Sequence, residues 1–327
     1  MVDGEAAFVS TGRLPAPEVV QGLVDDACER YRANTEGASS KVYPALTSVA
    51  PDLFGICVVA NSGNVYAAGD AEHEFSIMSV SKPFVFALVC ELLGPQAARE
   101  RLGVNSTGLP FNSLTSIERG GDGRTNPMVN AGAIATTSLV PGESAESKWT
   151  FIQRGLSDFA GRELSLNEEI YESASRTNQR NESIARLLQS YGRLYSDAVD
   201  ALDLYTRQCS LNVTAKDLAT MGATLADAGV NPLTGARVVD AETCRRTLAV
   251  MATAGLYETS GDWLYDVGLP GKSGIGGGIV TVAPGKGGLG TFAPRLDAAG
   301  NSVRGQLVAA DLSHSLGLDL FVSRAEG

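Results

Sequence analysis

Strand-forming segments lie at both ends of this 327-residue chain, and the long middle section almost lacks them. Residues 53–60 and 65–69 are apolar runs joined by the polar turn 61–64, a pattern typical of a β-hairpin. Residues 278–283 and 289–293 predict a second hairpin. The simplest arrangement is one antiparallel sheet built from both chain ends, which places the chain in the α/β class, more specifically α+β.

The middle of the chain is predicted to be helical. Apolar periodicity indicates internal helices over residues 84–93, 148–159, 183–191, 215–228 and 241–252, and terminal helices over 16–33 and 303–318. The terminal helices are expected to pack on the sheet. We expect residues 1–80 with 253–327 to form a sheet subdomain, residues 81–252 to form a helical subdomain, and the active site to lie between them.

The composition excludes several classes of function. A formal net charge of −11 argues against nucleic acid as a partner, because neutralising phosphates requires a basic surface. No run approaches the roughly 20 apolar residues that span a bilayer, and the acidic first five residues do not match a secretory signal, so we predict no membrane and a cytoplasmic location. Five widely spaced cysteines are typical of reduced, buried thiols, and two isolated histidines predict no metal site.

The pair Ser79 and Lys82 carries the clearest chemical signal. The two residues are three positions apart at the start of an apolar helical run, so they share a face and the amine can take the hydroxyl proton. A lone S-x-x-K pattern is common by chance, but the flanking segments 75–78 and 84–89 are apolar, which disfavours a solvated lysine. A second cation, Lys272, is expected to help Lys82 lose its proton.

A glycine-rich stretch follows Lys272 and runs to Gly278. Glycine allows close approach of backbone to substrate, and main-chain N–H groups can hold a developing oxyanion; a bulge in an edge strand explains the same glycines equally well.

Two glycine-containing segments resemble nucleotide-binding motifs, but neither matches fully. Asp266 stands where a phosphate loop needs glycine, and the glycine string at 285–290 leads into no helix.

Several further segments occur in the order found in one family: 51–55, 79–82, 110–113, 126–134, 180–181, 205–210, 255–257 and 267–278. With them the chain resembles the serine-dependent glutaminases of bacterial and kidney type, relatives by fold of the penicillin-recognising enzymes. The resemblance implies a β-lactamase-like fold and hydrolysis of L-glutamine to L-glutamate and ammonia without metal or organic cofactor. It also implies a homo-oligomer, either a dimer or a tetramer.

The resemblance assigns roles by position. Ser79 is similar to the family nucleophile and Lys82 to its base, and the N–H groups of Ser79 and Ile275 match the oxyanion hole. The positions that match the remaining site residues are Asn130, Asn181 and Tyr205 for substrate binding, Tyr257 for the pocket and a proton relay, and Ser173, Lys272 and Ser273 as polar support.

Two positions depart from the family pattern. Ala174 stands where the family has a glutamate that receives the substrate α-ammonium, and its loss costs a charge-assisted hydrogen bond of about 1.5 to 3 kcal/mol. Glu172 is a substitute if the segment is extended, because residues two apart then share a face. Val42 occupies the place of a family tyrosine, and Tyr43 directly precedes Pro44 as a supporting residue of undefined role.

Two alternatives remain open on the sequence alone. A penicillin-recognising hydrolase or peptidase shares the S-x-x-K and Lys-Ser-Gly motifs. A catalytically weak homologue that only binds an amino acid is consistent with Ala174.

Overall fold

The computed structural model describes residues 13–323 of the chain. Its strands are β1 (Gly55–Ala60), β2 (Val65–Gly69), β3 (Phe75–Ser76), β4 (Asn212–Val213), β5 (Gly271–Ser273), β6 (Gly278–Ala283) and β7 (Gly287–Phe292). Its helices are α1 (Pro17–Arg32), α2 (Ser81–Leu93), α3 (Pro95–Leu102), α4 (Thr115–Arg119), α5 (Asn130–Thr137), α6 (Ala145–Ala160), α7 (Glu168–Arg176), α8 (Gln179–Ser190), α9 (Ala198–Cys209), α10 (Ala215–Ala226), α11 (Ala241–Ala254), α12 (Ser260–Val267) and α13 (Val303–Ser315). Short 3₁₀ turns cover Pro44–Ser48, Met78–Val80 and Tyr257–Thr259.

One five-stranded sheet organises the molecule, with the strand order β2-β1-β7-β6-β5 and antiparallel neighbours throughout. The first two strands come from the beginning of the chain and the other three from its end, so the predicted sheet is confirmed. The second hairpin turns sooner than the sequence indicated, because β7 begins at Gly287 and not at residue 289. Strands β3 and β4 form a separate pair.

The two faces of the sheet cover different cores. Along β1, Ile56 and Val58 pack in one apolar cluster with residues of α1 and α13, whereas Cys57 and Val59 pack in the other with residues of α10 and α2. This alternation is the ordinary period of two for a strand buried on both faces. The predicted packing of the two terminal helices on the sheet is therefore confirmed.

Glycines in β7 allow α10 to lie directly on the sheet. A Cβ atom at Gly290 would lie 2.0 Å from the carbonyl oxygen of Ala215, and one at Gly288 would lie 2.2 Å from that of Ala219. Both carbonyls belong to α10, so any side chain at these positions would force the helix away.

The seven helices predicted from periodicity are all present, within a few residues of the expected bounds. Helices α3, α4, α5, α7, α9 and α12 were not predicted from the sequence pattern. The most consequential of these is α7, since it makes the segment that contains Ser173 and Ala174 helical and not extended.

Helix α2 is deeply placed, with every side chain from Ser81 to Cys90 buried. Within residues 13–323, no single helix is long and apolar enough to cross a bilayer; α2 and α3 reach that length only as a pair bent by 120°. All five cysteines are buried, which confirms the prediction for the thiols.

Replacing Gly290 with alanine should destabilise the fold. The added Cβ would overlap the Ala215 carbonyl, and overpacking of this kind costs about 3 kcal/mol. Thermal or urea unfolding measures the effect. Gly22→Ala is the matched control, because Gly22 lies in α1, a Cβ there meets nothing within 4 Å, and removing a helical glycine stabilises by up to about 1 kcal/mol. Equal stabilities for the two variants would contradict the packing argument.

Candidate active site

Ser79 is the middle residue of the 3₁₀ turn Met78–Val80, and this turn leads directly into α2. The preceding residue, Met78, has a φ of +47°, a left-handed conformation that side chains other than glycine rarely adopt. Ser81 Oγ donates to the Met78 carbonyl at 2.8 Å and supports this turn. The turn leaves Ser79 only 7% exposed, at the wall of a cleft.

Lys82 lies in the first turn of α2, three residues after Ser79, and is 1% exposed. Its Nζ donates to Asn130 Oδ1 at 2.7 Å and to the Met128 carbonyl at 3.4 Å. Burial lowers the pKa of Lys82 to about 7. Desolvation, which the burial of Lys82 predicted, is the cause; the charge of Lys272, expected to help, does not contribute to the lowering.

A chain of amide side chains extends from Lys82 across three helices. Asn130 Nδ2 donates to Asn181 Oδ1 at 2.8 Å, Asn181 Nδ2 donates to Asn178 Oδ1 at 2.7 Å, and Asn178 Nδ2 donates to Thr206 Oγ1 at 2.9 Å. Tyr205 adds a second donor to Asn130 Oδ1 at 3.1 Å. Every link is buried, so these residues hold one another in fixed rotamers.

Tyr257 is the first residue of the 3₁₀ turn Tyr257–Thr259, and its side chain reaches β5. Its φ is +59°, the hydroxyl donates to the Ser273 carbonyl at 3.2 Å, and its ring lies 4.9 Å from the ring of Phe111. Burial raises the pKa of Tyr257 to about 12, against the opposing effect of the nearby polar groups of Ser79 and Ser273. The phenol is therefore protonated at neutral pH.

Lys272 and Ser273 lie on β5 behind this tyrosine and are fully buried. Lys272 Nζ donates to the Ser273 carbonyl at 2.6 Å and lies 4.1 Å from the centroid of the Tyr257 ring. Burial lowers the pKa of Lys272 well below its ordinary value, and repulsion from Lys82 lowers it further. Ser273 Oγ donates to Asn301 Oδ1 at 2.5 Å, which fixes β5 to the segment that precedes α13.

The turn after β5 brings backbone to Ser79. A Cβ at Gly274 would lie 3.2 Å from the Ser79 nitrogen and 3.0 Å from the Ile77 carbonyl, so glycine permits this approach. The next residue, Ile275, lines the cleft, and its N–H has no hydrogen-bond partner among residues 13–323. An unsatisfied N–H beside a serine is the arrangement that an oxyanion requires.

One pocket is lined by part of this set, whereas Lys82, Lys272, Ser273 and Tyr257, which was expected to line it, are not among its lining residues. Ser79, Asn130, Asn181, Tyr205 and Ile275 line it, together with Tyr43. The lining comes from both predicted parts of the chain; the division into two subdomains itself stays a prediction. Burial raises the pKa of Tyr43.

Ser173 does not line the pocket. Its Oγ accepts a hydrogen bond from the Ala45 N–H at 3.1 Å and thereby holds the turn beside Tyr43. A larger cavity, of about 660 Å³, lies elsewhere and shares no lining residue with the pocket of Ser79. Its lining includes Arg99, Arg119 and Arg124 but no lysine, tyrosine or histidine to activate a nucleophile.

The prediction that Glu172 replaces the missing glutamate is wrong. Because α7 is a helix, Glu172 points away from Ala174; it is exposed and pairs with Arg176 at 3.8 Å. Ala174 is 2% exposed and lines the pocket with an apolar methyl group.

Sequence reasoning missed part of the pocket. Cys209 lines it, and burial raises the pKa of this thiol. Phe111, Asn112, Asn178 and Thr206 also line it. Four of these positions, Phe111, Asn112, Thr206 and Cys209, fall inside motifs that carried the family resemblance, so the motifs indicated the neighbourhood without indicating a role.

The chain is similar to several known proteins over most of its length. The glutaminase family model matches residues 37–321. "Glutaminase 2" of Yersinia pestis is 67% identical over 321 residues, which cover 98% of this chain and 94% of that protein. A solved structure described as the probable glutaminase ybaS has a TM-score of 0.93 at 45% identity and covers 94% of this chain and 100% of its own. A structure of Mglu "in its glutamate form" has a TM-score of 0.88 at 37% identity, covering 93% of this chain and 70% of that one.

The matches extend over nearly the whole chain, and the solved neighbours confirm the fold that the resemblance implied. The same matches set aside the alternative of a penicillin-recognising hydrolase. The chain belongs to the glutaminase family of amidohydrolases.

Proposed function

We propose that this protein hydrolyses L-glutamine to L-glutamate and ammonia through an acyl-serine intermediate. Ser79 Oγ attacks the side-chain amide carbon while Lys82 Nζ takes the hydroxyl proton. The carbon–nitrogen bond breaks as the departing ammonia receives a proton, and water then releases glutamate from the ester. The observation that carries the proposal is the complete burial of Lys82 one helical turn from Ser79.

A lysine amine acts as a base only when it is neutral. With a pKa lowered to about 7 by burial, about half of Lys82 is unprotonated near neutral pH, whereas a solvated lysine would be almost entirely protonated. A neutral amine has two N–H donors, and Asn130 and the Met128 carbonyl accept from them. The remaining lone pair is free for the proton of Ser79.

The tetrahedral intermediate carries a negative oxygen, which we assign to the N–H groups of Ser79 and Ile275. The unpartnered N–H of Ile275 and the close approach of Gly274 to the Ser79 nitrogen support this assignment. Donors that are already in place contribute about 3 kcal/mol each to the transition state.

Tyr257 is proposed to relay a proton to the leaving ammonia. The raised pKa of about 12, caused by burial, keeps the phenol protonated, and its hydroxyl donates to the carbonyl of Ser273, next to the Gly274 backbone that approaches Ser79. Lys272 holds the ring in place from below through its contact at 4.1 Å. Ser273 anchors β5, and Ser173 supports Tyr43.

Asn130, Asn181 and Tyr205 are proposed to position the substrate, with Tyr43 at the edge of the pocket. The similar Mglu structure described in its glutamate form supports a product site in this fold. Assembly as a dimer or tetramer and a cytoplasmic location stay predictions.

Ser79→Ala should lower turnover by at least about a thousandfold, because it removes the atom that forms the ester. Its stability should hardly change, since the hydroxyl lies at a cleft wall. The measurements are ammonia release and thermal unfolding. Ser313→Ala is the control: this buried hydroxyl donates to the Val267 carbonyl far from the site, so its loss costs about 1 kcal/mol of stability and leaves turnover intact. Glutamine binding without ammonia release by the unmodified protein would instead favour the binding-only alternative.

Activity should depend on pH through Lys82. Because the amine accepts a proton only in its neutral form, kcat/KM should fall about tenfold per pH unit below about pH 7 and level off above it. Initial rates of ammonia release from about pH 5 to pH 9 measure the profile. A rate independent of pH across that range would remove Lys82 from the role of base.

A further inference from the structure

The charges around the pocket do not match the substrate that the family name suggests. We infer that the Ser79 pocket accepts ω-amides of dicarboxylic acids that lack the α-ammonium group, such as glutaramate, at least as well as it accepts L-glutamine. This inference rests on the proposed function, since it concerns the same acyl-transfer site. In the reaction, Ser79 Oγ bonds to the amide carbon, ammonia leaves with the transferred proton, and water releases glutarate from the ester.

No carboxylate faces the pocket among the residues that the structure describes as its lining. On the neighbouring helices the acidic groups point elsewhere. In α7, Glu168, Glu169 and Glu172 are exposed; in α8, Glu182 is exposed; and in α9, Asp203 accepts from the Tyr171 hydroxyl and pairs with Arg207. An ammonium group that enters the pocket therefore meets no opposite charge.

The three buried amide oxygens of the pocket, which belong to Asn130, Asn181 and Asn178, are already engaged. Asn130 Oδ1 accepts from Lys82 and Tyr205, Asn181 Oδ1 accepts from Asn130, and Asn178 Oδ1 accepts from Asn181. An amide oxygen has two lone pairs, so Asn130 in particular has none to spare. The wall beside them is apolar, with Val42, Met78 and Ala174 among its residues.

The pocket does offer a donor for an anion. Arg180 is the charged residue of its lining, and Nε of Arg180 donates to the Asn112 carbonyl at 2.8 Å, which fixes the guanidinium at the mouth. The terminal nitrogens of Arg180 have no partner between residues 13 and 323. A guanidinium in this position suits a carboxylate and repels an ammonium group.

The test in the unmodified protein compares kcat/KM for ammonia release from glutaramate and from L-glutamine under the same conditions. We expect glutaramate to equal or exceed L-glutamine, and glutarate to inhibit at least as strongly as L-glutamate. The inference would be overturned, and the proposed function left intact, if kcat/KM were more than about tenfold higher for L-glutamine than for glutaramate and L-glutamate inhibited more than about tenfold more strongly than glutarate. Ammonia from neither amide would overturn the proposed function and this inference with it.

A charge introduced at Ala174 tests the cause. Ala174→Glu should shift the ratio of the two kcat/KM values about tenfold to a hundredfold toward L-glutamine, because it supplies the missing anion. Ala174→Gln has the same size without the charge and should leave the ratio within about threefold of the original. Equal shifts in both variants would mean that size and not charge sets the preference. Thermal unfolding checks both variants; if either fails to fold, the substrate and inhibitor comparison in the unmodified protein decides.

Discussion

The hydrogen bond from Lys82 to Asn130 is the interaction on which the site depends. It joins the first turn of α2 to the first residue of α5 inside the protein, where an amine has no water to solvate a charge. A buried polar group without a partner costs free energy, so the lysine requires both Asn130 and the Met128 carbonyl. The same burial that demands these partners lowers the pKa of Lys82 to about 7.

Backbone strain is concentrated where the site needs it. Three residues other than glycine have positive φ in residues 13–323; two of them are Met78, directly before Ser79, and Tyr257. Such conformations cost on the order of 1 to 3 kcal/mol each and persist only when surrounding contacts enforce them. Ser81 enforces the first through the Met78 carbonyl, and the ring contacts of Lys272 and Phe111 enforce the second. Met78 sets the backbone that leads into Ser79, and Tyr257 donates to the Ser273 carbonyl, next to the Gly274 backbone that approaches Ser79.

The sequence predicted the elements whose apolar pattern is strong. The two hairpins and the seven periodic helices follow from residues that alternate or repeat at helical spacing. Helix α5 was not predicted, because its residues, NAGAIATT, are small, largely apolar and buried on every side. They lack the amphipathic pattern of a surface helix. Helix α7 had a start signal that was not used: Asn167 caps it by accepting from the Ile170 N–H, ahead of Glu168 and Glu169.

The site was only partly predictable, because most of its hydrogen bonds join residues that are far apart in the sequence. Ser79 and Lys82 are neighbours in sequence, so their pairing is visible there. Asn130 is 48 residues from Lys82, 51 from Asn181 and 75 from Tyr205, and nothing local reveals which lone pair accepts from which donor. The family resemblance identified these residues without showing that their acceptors are occupied.

Catalysis and substrate specificity are coupled because both depend on the side-chain oxygen of Asn130, which already accepts two hydrogen bonds. The Asn130 oxygen holds Lys82 in place as a base, and in doing so it has nothing left to offer a substrate ammonium group. A carboxylate at position 174 would supply the missing acceptor, yet a negative charge in the same pocket would also favour the charged form of Lys82 and raise its pKa. The methyl group of Ala174 carries no charge and so does not raise the pKa of Lys82. A pocket without an anion therefore keeps Lys82 neutral at lower pH and gives up a partner for the α-ammonium of the substrate.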